Sequence, residues 1–209
     1  MAGAEGGREP TALARRRRVV AAGHRGDLET IEAARDDDDP SVRAARLGAL
    51  ERAGALSATE VVWGLGDPDP TVRHRAAVLA AHARVRRASA LCPALIACLG
   101  DPDPLVAEAA AWALGEHGSS EAVGSLATMA TDHPDPRCRE SAVAALGAIG
   151  DRRGLRAVLG ALKDRPAVRR RAVVALVGFE DPEVETALER CLEDPDWQVR
   201  QAAEILLER

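Results

Sequence analysis

The chain of 209 residues has no tyrosine and no asparagine, one phenylalanine (Phe179), and a single lysine (Lys163) among its 28 basic residues. Aromatics make up 2% of the sequence, so the apolar share of 46% is carried by Ala, Leu and Val, a mixture that favours closely packed helices over sheets. No apolar run approaches the roughly 18 residues of a membrane span, and the first residues lack the apolar stretch of a secretory signal. A cytoplasmic protein without a membrane contact is expected. The near absence of lysine, with arginine in its place and no asparagine, is the bias of a GC-rich genome and carries no functional weight. Tight cysteine pairs are lacking too: Cys92, Cys98, Cys138 and Cys191 show no CxxC spacing, which points to buried free thiols. The net charge of -5 makes nucleic acid a poor default partner.

What is present is repetition. The segments DDDDPSVRAARLGAL, GDPDPTVRHRAAVLA, GDPDPLVAEAAAWALG, DHPDPRCRESAVAALG, KDRPAVRRRAVVALVG and EDPDWQVRQAAEILL align on the anchors Val42, Val72, Val106, Cys138, Val168 and Val199, spaced 30, 34, 32, 30 and 31 residues apart. Two residues before the anchors stand Pro40, Pro70, Pro104, Pro136, Pro166 and Trp197; one residue earlier stand Asp39, Asp69, Asp103, Asp135, Arg165 and Asp196. Aspartate followed by proline starts a helix, because the carboxylate accepts a free first-turn amide and proline lacks only an N–H that would be unpaired anyway.

Four residues after the anchors come Arg46, Ala76, Ala110, Ala142, Ala172 and Ala203, and eight after them Leu50, Ala80, Leu114, Leu146, Leu176 and Leu207. This spacing marks one buried stripe on each helix, with small residues that allow neighbouring backbones to approach. A shorter amphipathic run precedes each such helix, as in SATEVVWGLGD, where Ser57 and Glu60 fit a capping box. Each unit is therefore a helix pair that must stack on its neighbours. Six units cover 26–209, residues 10–25 read as an N-terminal capping helix, and the Gly- and Glu-rich residues 1–9 are expected to be disordered. Asp36 to Asp39 form a turn and cap, since no calcium-loop spacing follows.

The unit LxDPDPxVRxxAAxALGxxGD, clearest in CLGDPDPLVAEAAAWALGEHG, resembles the HEAT repeat of the short bacterial type, also called the PBS-lyase HEAT-like repeat. The resemblance implies an all-α, right-handed α-α superhelix of about six helix pairs plus an N-terminal helix, with the second helices lining its concave side. It does not fix an activity, because phycobilin lyase subunits, deoxyhypusine hydroxylases and interaction scaffolds share the repeat. One residue after the anchors, Arg43, Arg73, Arg139, Arg169 and Arg200 resemble the arginines that tie adjacent repeats to the turn aspartates, here Asp39, Asp69, Asp103, Asp135 and Asp196; Ala107 interrupts this ladder.

The concave stripe lies two and six residues after each anchor. It carries Ala44, His74, Glu108, Glu140, Arg170 and Gln201 at the first of these positions and Gly48, Val78, Trp112, Ala144, Val174 and Ile205 at the second. Trp112 has two readings, a binding anchor or a side chain filling the core between repeats. Around it, His74, Arg75, His82, Arg170 and Arg171 form a basic side and Glu108, Glu116 and Glu140 an acidic middle, with Val78 and Val174 as apolar surroundings, an alternation suited to a peptide or partner helix. His74 with Glu108 and His82 with Glu116 also read as plain lateral ion pairs. These four cannot share a metal, because eight helical residues span about 12 Å.

No His is followed by Glu, as the di-iron centre of the hydroxylase relatives requires, and no phosphate loop, GxSxG elbow or HExxH helix occurs. No enzyme activity, cofactor or metal is expected. The expectation is a non-catalytic scaffold or adaptor for a partner protein or peptide. Two alternatives stand beside it: an accessory subunit of the phycobilin lyase kind, and a nucleic-acid binder using Arg15 to Arg18, Arg152, Arg153 and Arg169 to Arg171. No Arg or Lys occurs from Ala88 to Pro136, which counts against a continuous phosphate track. At the C-terminal end, Trp197, Leu206 and Leu207 offer a surface for self-association.

Overall fold

A computed structural model describes residues 11–82 and 90–208; the N-terminal segment read as disordered, and Pro10, lie outside them. The described residues form thirteen α-helices and three short 3-10 turns, with no strand. In order these are α1 (Ala12–Arg25), α2 (Leu28–Glu32), α3 (Pro40–Arg52), α4 (Ala58–Leu65), α5 (Pro70–Ala80), α6 (Leu91–Cys98), α7 (Pro104–His117), α8 (Val123–Asp132), α9 (Pro136–Ile149), α10 (Leu155–Ala161), α11 (Pro166–Ala175), α12 (Pro182–Cys191) and α13 (Trp197–Leu207). They fall into two compact units, Met1–Leu79 and Ala80–Arg209.

The Asp-Pro turns act as the repeat predicts. Asp39 accepts the N–H of Ser41, Asp69 that of Thr71, Asp103 that of Leu105 and Asp135 that of Arg137, all at 2.8 to 2.9 Å. Arg165 breaks the rule and caps nothing with its side chain. All six anchors are fully buried, each stabilising the fold by about 2 kcal/mol relative to exposure. The four cysteines are buried and free, and burial pushes the Cys138 thiol up to about 11.

In the first unit α1 packs on α3 as a second helix packs on the next second helix. Counting from Ala14 as its anchor, Gly23 stands nine residues on and lies so close to Ala49 that a Cβ would come within 2.8 Å of its Cα. The same approach recurs in the second unit between Gly115 and Ala145, and between Gly147 and Ala175. The N-terminal helix thus packs on α3 with the same close glycine–alanine approach as the second helices.

The arginine ladder is present, with a correction to its partners. Arg43 donates from Nε and Nη2 to Asp67, both at 2.8 Å, while its Nη1 donates to the Asp37 carbonyl of its own turn. Arg139 grips Asp164 and Arg169 grips Asp194 in the same way, and Arg15 of α1 forms a further rung on Asp37. The cap aspartates Asp39, Asp69, Asp103, Asp135 and Asp196 are not the ladder acceptors; an aspartate near the start of the following turn is. Both carboxylates accept a turn amide, but the earlier one also accepts both guanidinium bonds from the arginine of the previous second helix. Where Ala107 removes the arginine, the acceptor register holds His133, whose Nδ1 accepts the Asp135 N–H at 3.1 Å.

Arg139 and Arg169 hold Asp164 and Asp194 below the ordinary carboxylate range; burial opposes the charge on Asp67, but the bonds from Arg43 and the Asp69 N–H outweigh it. A depressed folded pKa means that the unfolded chain binds more protons in acid. The ladder's stabilisation is therefore present above the unfolded value of about 3.9 and is lost as pH falls through the lower folded values. Thermal melts are expected to hold steady from pH 7 to 5 and to fall steeply below about pH 4. The Arg139→Ala/Arg169→Ala variant should show a shallower acid loss, and equal slopes would remove the ladder from the acid response.

α13 departs from its predecessors on one face. Five residues after the anchor, α3, α5, α7, α9 and α11 bury Leu47, Ala77, Ala111, Val143 and Val173, whereas α13 exposes Glu204. Arg200 and Glu208 extend this charged stripe, while Trp197 is 60% exposed and Leu206 and Leu207 are half-buried.

Candidate binding face on the second helices

Second helices of the second unit pack in sequence, α7 on α9, α9 on α11 and α11 on α13. Side chains six residues after each anchor consequently form one row: Trp112, Ala144, Val174 and Ile205. Trp112 is 44% exposed, Val174 and Ile205 are each 49% exposed, and Ala144 is half-buried. The rest of α7 explains why the indole stays outside. Ala107, Ala109, Ala110, Ala111, Ala113, Leu114 and Gly115 fill the core sides of that helix, and at Gly115 and Ala145 the backbones approach too closely to admit a ring. The core-filling reading of Trp112 needs a buried indole, which the structure does not show.

Glu108, Trp112 and Glu116 stand four residues apart on α7 and share one stripe. Glu108 is half-buried, its carbonyl accepting the Ser141 hydroxyl at 3.0 Å, and Glu116 is exposed on the last turn. On the next helices Arg171 reaches back to Glu140 at 3.3 Å, and Arg170 donates to the Gln198 side-chain carbonyl. His82 follows α5 in a bend and is half-buried. His74, Arg75 and Val78 lie on α5 in the first unit, all half-buried. Arg75 lies along α3, where Gly48 leaves room: a Cβ there would come within 2.7 Å of its guanidinium. The row is therefore built by the second unit, and Ile205 joins it although the acidic and basic pattern gave it no role.

The basic residues of the nucleic-acid reading are largely committed to carboxylates. Arg15 holds Asp37, Arg152 holds Asp181, Arg153 holds Asp151, Arg169 holds Asp194 and Arg171 holds Glu140, leaving Arg16, Arg17 and Arg18 exposed on α1. Among the described residues no group of three or more His, Cys, Asp or Glu is placed to hold a metal ion, and no helix is long and apolar enough to cross a membrane.

Comparison with known proteins agrees on the fold. An engineered protein is similar over 87% of this chain and 95% of its own, at 19% identity and a TM-score of 0.61. A designed armadillo repeat protein in complex with a (KR)4 peptide is similar over 85% and 96%, at 20% identity and a TM-score of 0.63. The complex of CpcE and CpcF of phycocyanin lyase from Nostoc sp. aligns over 73% of this chain and 98% of that one, at 18% identity and a TM-score of 0.59. No curated protein matches. The family model for HEAT repeats matches residues 58–147 and 125–208, and the chain belongs to the HEAT-repeat family.

Proposed function

We propose that the protein is a non-catalytic scaffold that binds a peptide or helix of a partner protein along the second helices of its second unit. The observation that carries this reading is the row of Trp112, Val174 and Ile205, large apolar side chains left half in water at the same register of successive second helices. The stripe Glu108, Trp112 and Glu116, on a stretch of chain without lysine or arginine, favours an occupant that is basic as well as apolar, since an indole face beside carboxylates attracts a cation. The designed armadillo protein that holds a (KR)4 peptide on a similar fold supports the same chemistry. The repeat lengths of 30 to 34 residues support placing the chain among the short, PBS-lyase-like HEAT repeats.

Peptides selected by display against the wild type, then measured by calorimetry, test this reading. Trp112→Ala is expected to weaken them at least about tenfold, the loss of a central aromatic anchor, with circular dichroism unchanged. Equal affinity in a folded variant would move the site elsewhere. Visible absorbance retained through purification would instead favour a chromophore-handling subunit.

A further inference from the structure

The second helices of the second unit carry a polar row beside the apolar one. Two residues after the anchors stand Glu108, Glu140, Arg170 and Gln201, one helical turn before Trp112, Ala144, Val174 and Ile205. Gly115 meets Ala145 and Gly147 meets Ala175 in the same close approach, so the helices step past one another in equal register and both rows run across α7, α9 and α11. The charge along the polar row changes sign. At the α7 end Glu108 is half-buried and forms no ion pair with a described residue; Arg137, which feels its charge, is gripped by Asp135 at 2.8 Å. In the middle Glu140 and Arg171 neutralise each other at 3.3 Å. At the α11 end Arg170 is half-buried and meets no described carboxylate. Its Nη1 donates to the Gln198 side-chain carbonyl, which leaves most of the five guanidinium N–H donors for a ligand.

Resting on the row as a peptide site, we propose that its occupant is an extended segment of mixed charge, with a lysine or arginine on Trp112 beside Glu108 and an aspartate or glutamate on Arg170. The indole face and the carboxylate attract a cation together. The guanidinium fork takes a carboxylate by two parallel bonds, as Arg139 and Arg169 take Asp164 and Asp194 within the chain. Two helix-to-helix steps of roughly 8 to 10 Å separate α7 from α11, and an extended chain rises about 3.3 Å per residue, so the two charges stand roughly five or six residues apart. The polar and apolar rows lie about 6 Å from each other, a width that suits a strand and not a helix about 10 Å across. Between the ends, Ala144 and the closed pair of Glu140 and Arg171 call for uncharged residues, and Val174 for an apolar one. A uniformly basic segment would bring a like charge to Arg170, so the order of charges separates this occupant from basic peptides in general.

Display selection of peptides on the full chain, followed by calorimetry, tests the order. Wild-type binders are expected to share a Lys or Arg and, at that spacing, an Asp or Glu. Arg170→Glu should weaken such a peptide at least tenfold, and changing the peptide's acid to lysine should restore binding to Arg170→Glu but not to the wild type. Arg170→Gln, which removes the charge without reversing it, should show a smaller loss. Glu108→Lys should respond in the same way to reversal of the peptide's cation, and neither protein variant should be rescued by the other's peptide. Circular dichroism checks that the variants fold. Selected peptides without the acidic residue overturn the charge order and leave the row as the site; so does Arg170→Glu binding them as the wild type does while Trp112→Ala still weakens them. If Trp112→Ala is also without effect, or selection yields no binder, the row itself fails as a site and the charge order with it.

Discussion

Arg46→Ala is expected to lower the stability of the first unit by about 2 kcal/mol, the cost of taking the buried guanidinium out of an ion-pair cluster and leaving Glu60 with one of its two counter-charges. Arg46 is 0% exposed, on α3, at the register where every later second helix has alanine. Its Nη1 donates to Glu60 at 2.5 Å and its Nη2 to Glu32 at 2.6 Å. The guanidinium lies 5.6 Å from the ring centre of Trp63, which also takes Arg35 at 5.3 Å. Burial works against the charge on Arg46, yet its two carboxylates raise its pKa on balance, and Glu60 is held low by the same contacts against its own burial. Alanine fits the backbone here, so the loss comes from Glu60, which keeps only Arg35 at 3.0 Å, and not from a bad shape. Glu32 is half exposed and turns to water. Urea unfolding followed by the emission of Trp63 measures the effect, and Arg46→Ala/Glu60→Gln should recover more than half of it. A change below about 1 kcal/mol would mean that the cluster is effectively solvated.

Gly147→Ala is expected to cost about 2 kcal/mol. The added methyl would stand 2.6 Å from both Cα and Cβ of Ala175 and 2.8 Å from its carbonyl oxygen. Backbone cannot swing aside as a side-chain end can, so α9 and α11 must separate. The same separation pulls Val174 away from Trp112, and affinity for a selected peptide should fall with stability. Gly124→Ala on α8 is the control: nothing lies within 4 Å of its Cβ, and alanine in an open helical site adds roughly 0.5 to 1 kcal/mol. Denaturant midpoints that move together for both variants would show that the effect is helix propensity and not the contact.

The repeat phase, the helix starts and the buried stripe were legible in the sequence because each recurs with a fixed local cause: a cap, a proline, an apolar residue every fourth place. Partners that lie a whole repeat away were less legible. The ladder arginines were recognisable, but two aspartates stand in most of the turns, and only the stacked geometry decides which faces the previous repeat. α1 lacks the Asp-Pro start and uses Thr11 as its cap, so its kinship with the second helices shows in Arg15 and Gly23 and not in the motif. The Arg46 cluster has no periodic signal at all, since Glu32, Arg35, Glu60 and Trp63 come from separate elements. Register put Trp112 and Val174 at one position of the second helices, and both side chains are half exposed there. The charged residues named beside them are divided between two units, a division that spacing alone does not reveal.

The proposed site stands on the row formed by Trp112, Ala144, Val174 and Ile205. A photoreactive benzoylphenylalanine placed at Ala144, irradiated with a display-selected peptide and compared with the same group at the exposed Thr128 of α8, tests it most directly. The predicted result is a peptide adduct at Ala144 that disappears in the Trp112→Ala background, with none at Thr128. An adduct at Thr128 alone, or one at Ala144 that survives the loss of Trp112, would contradict the account.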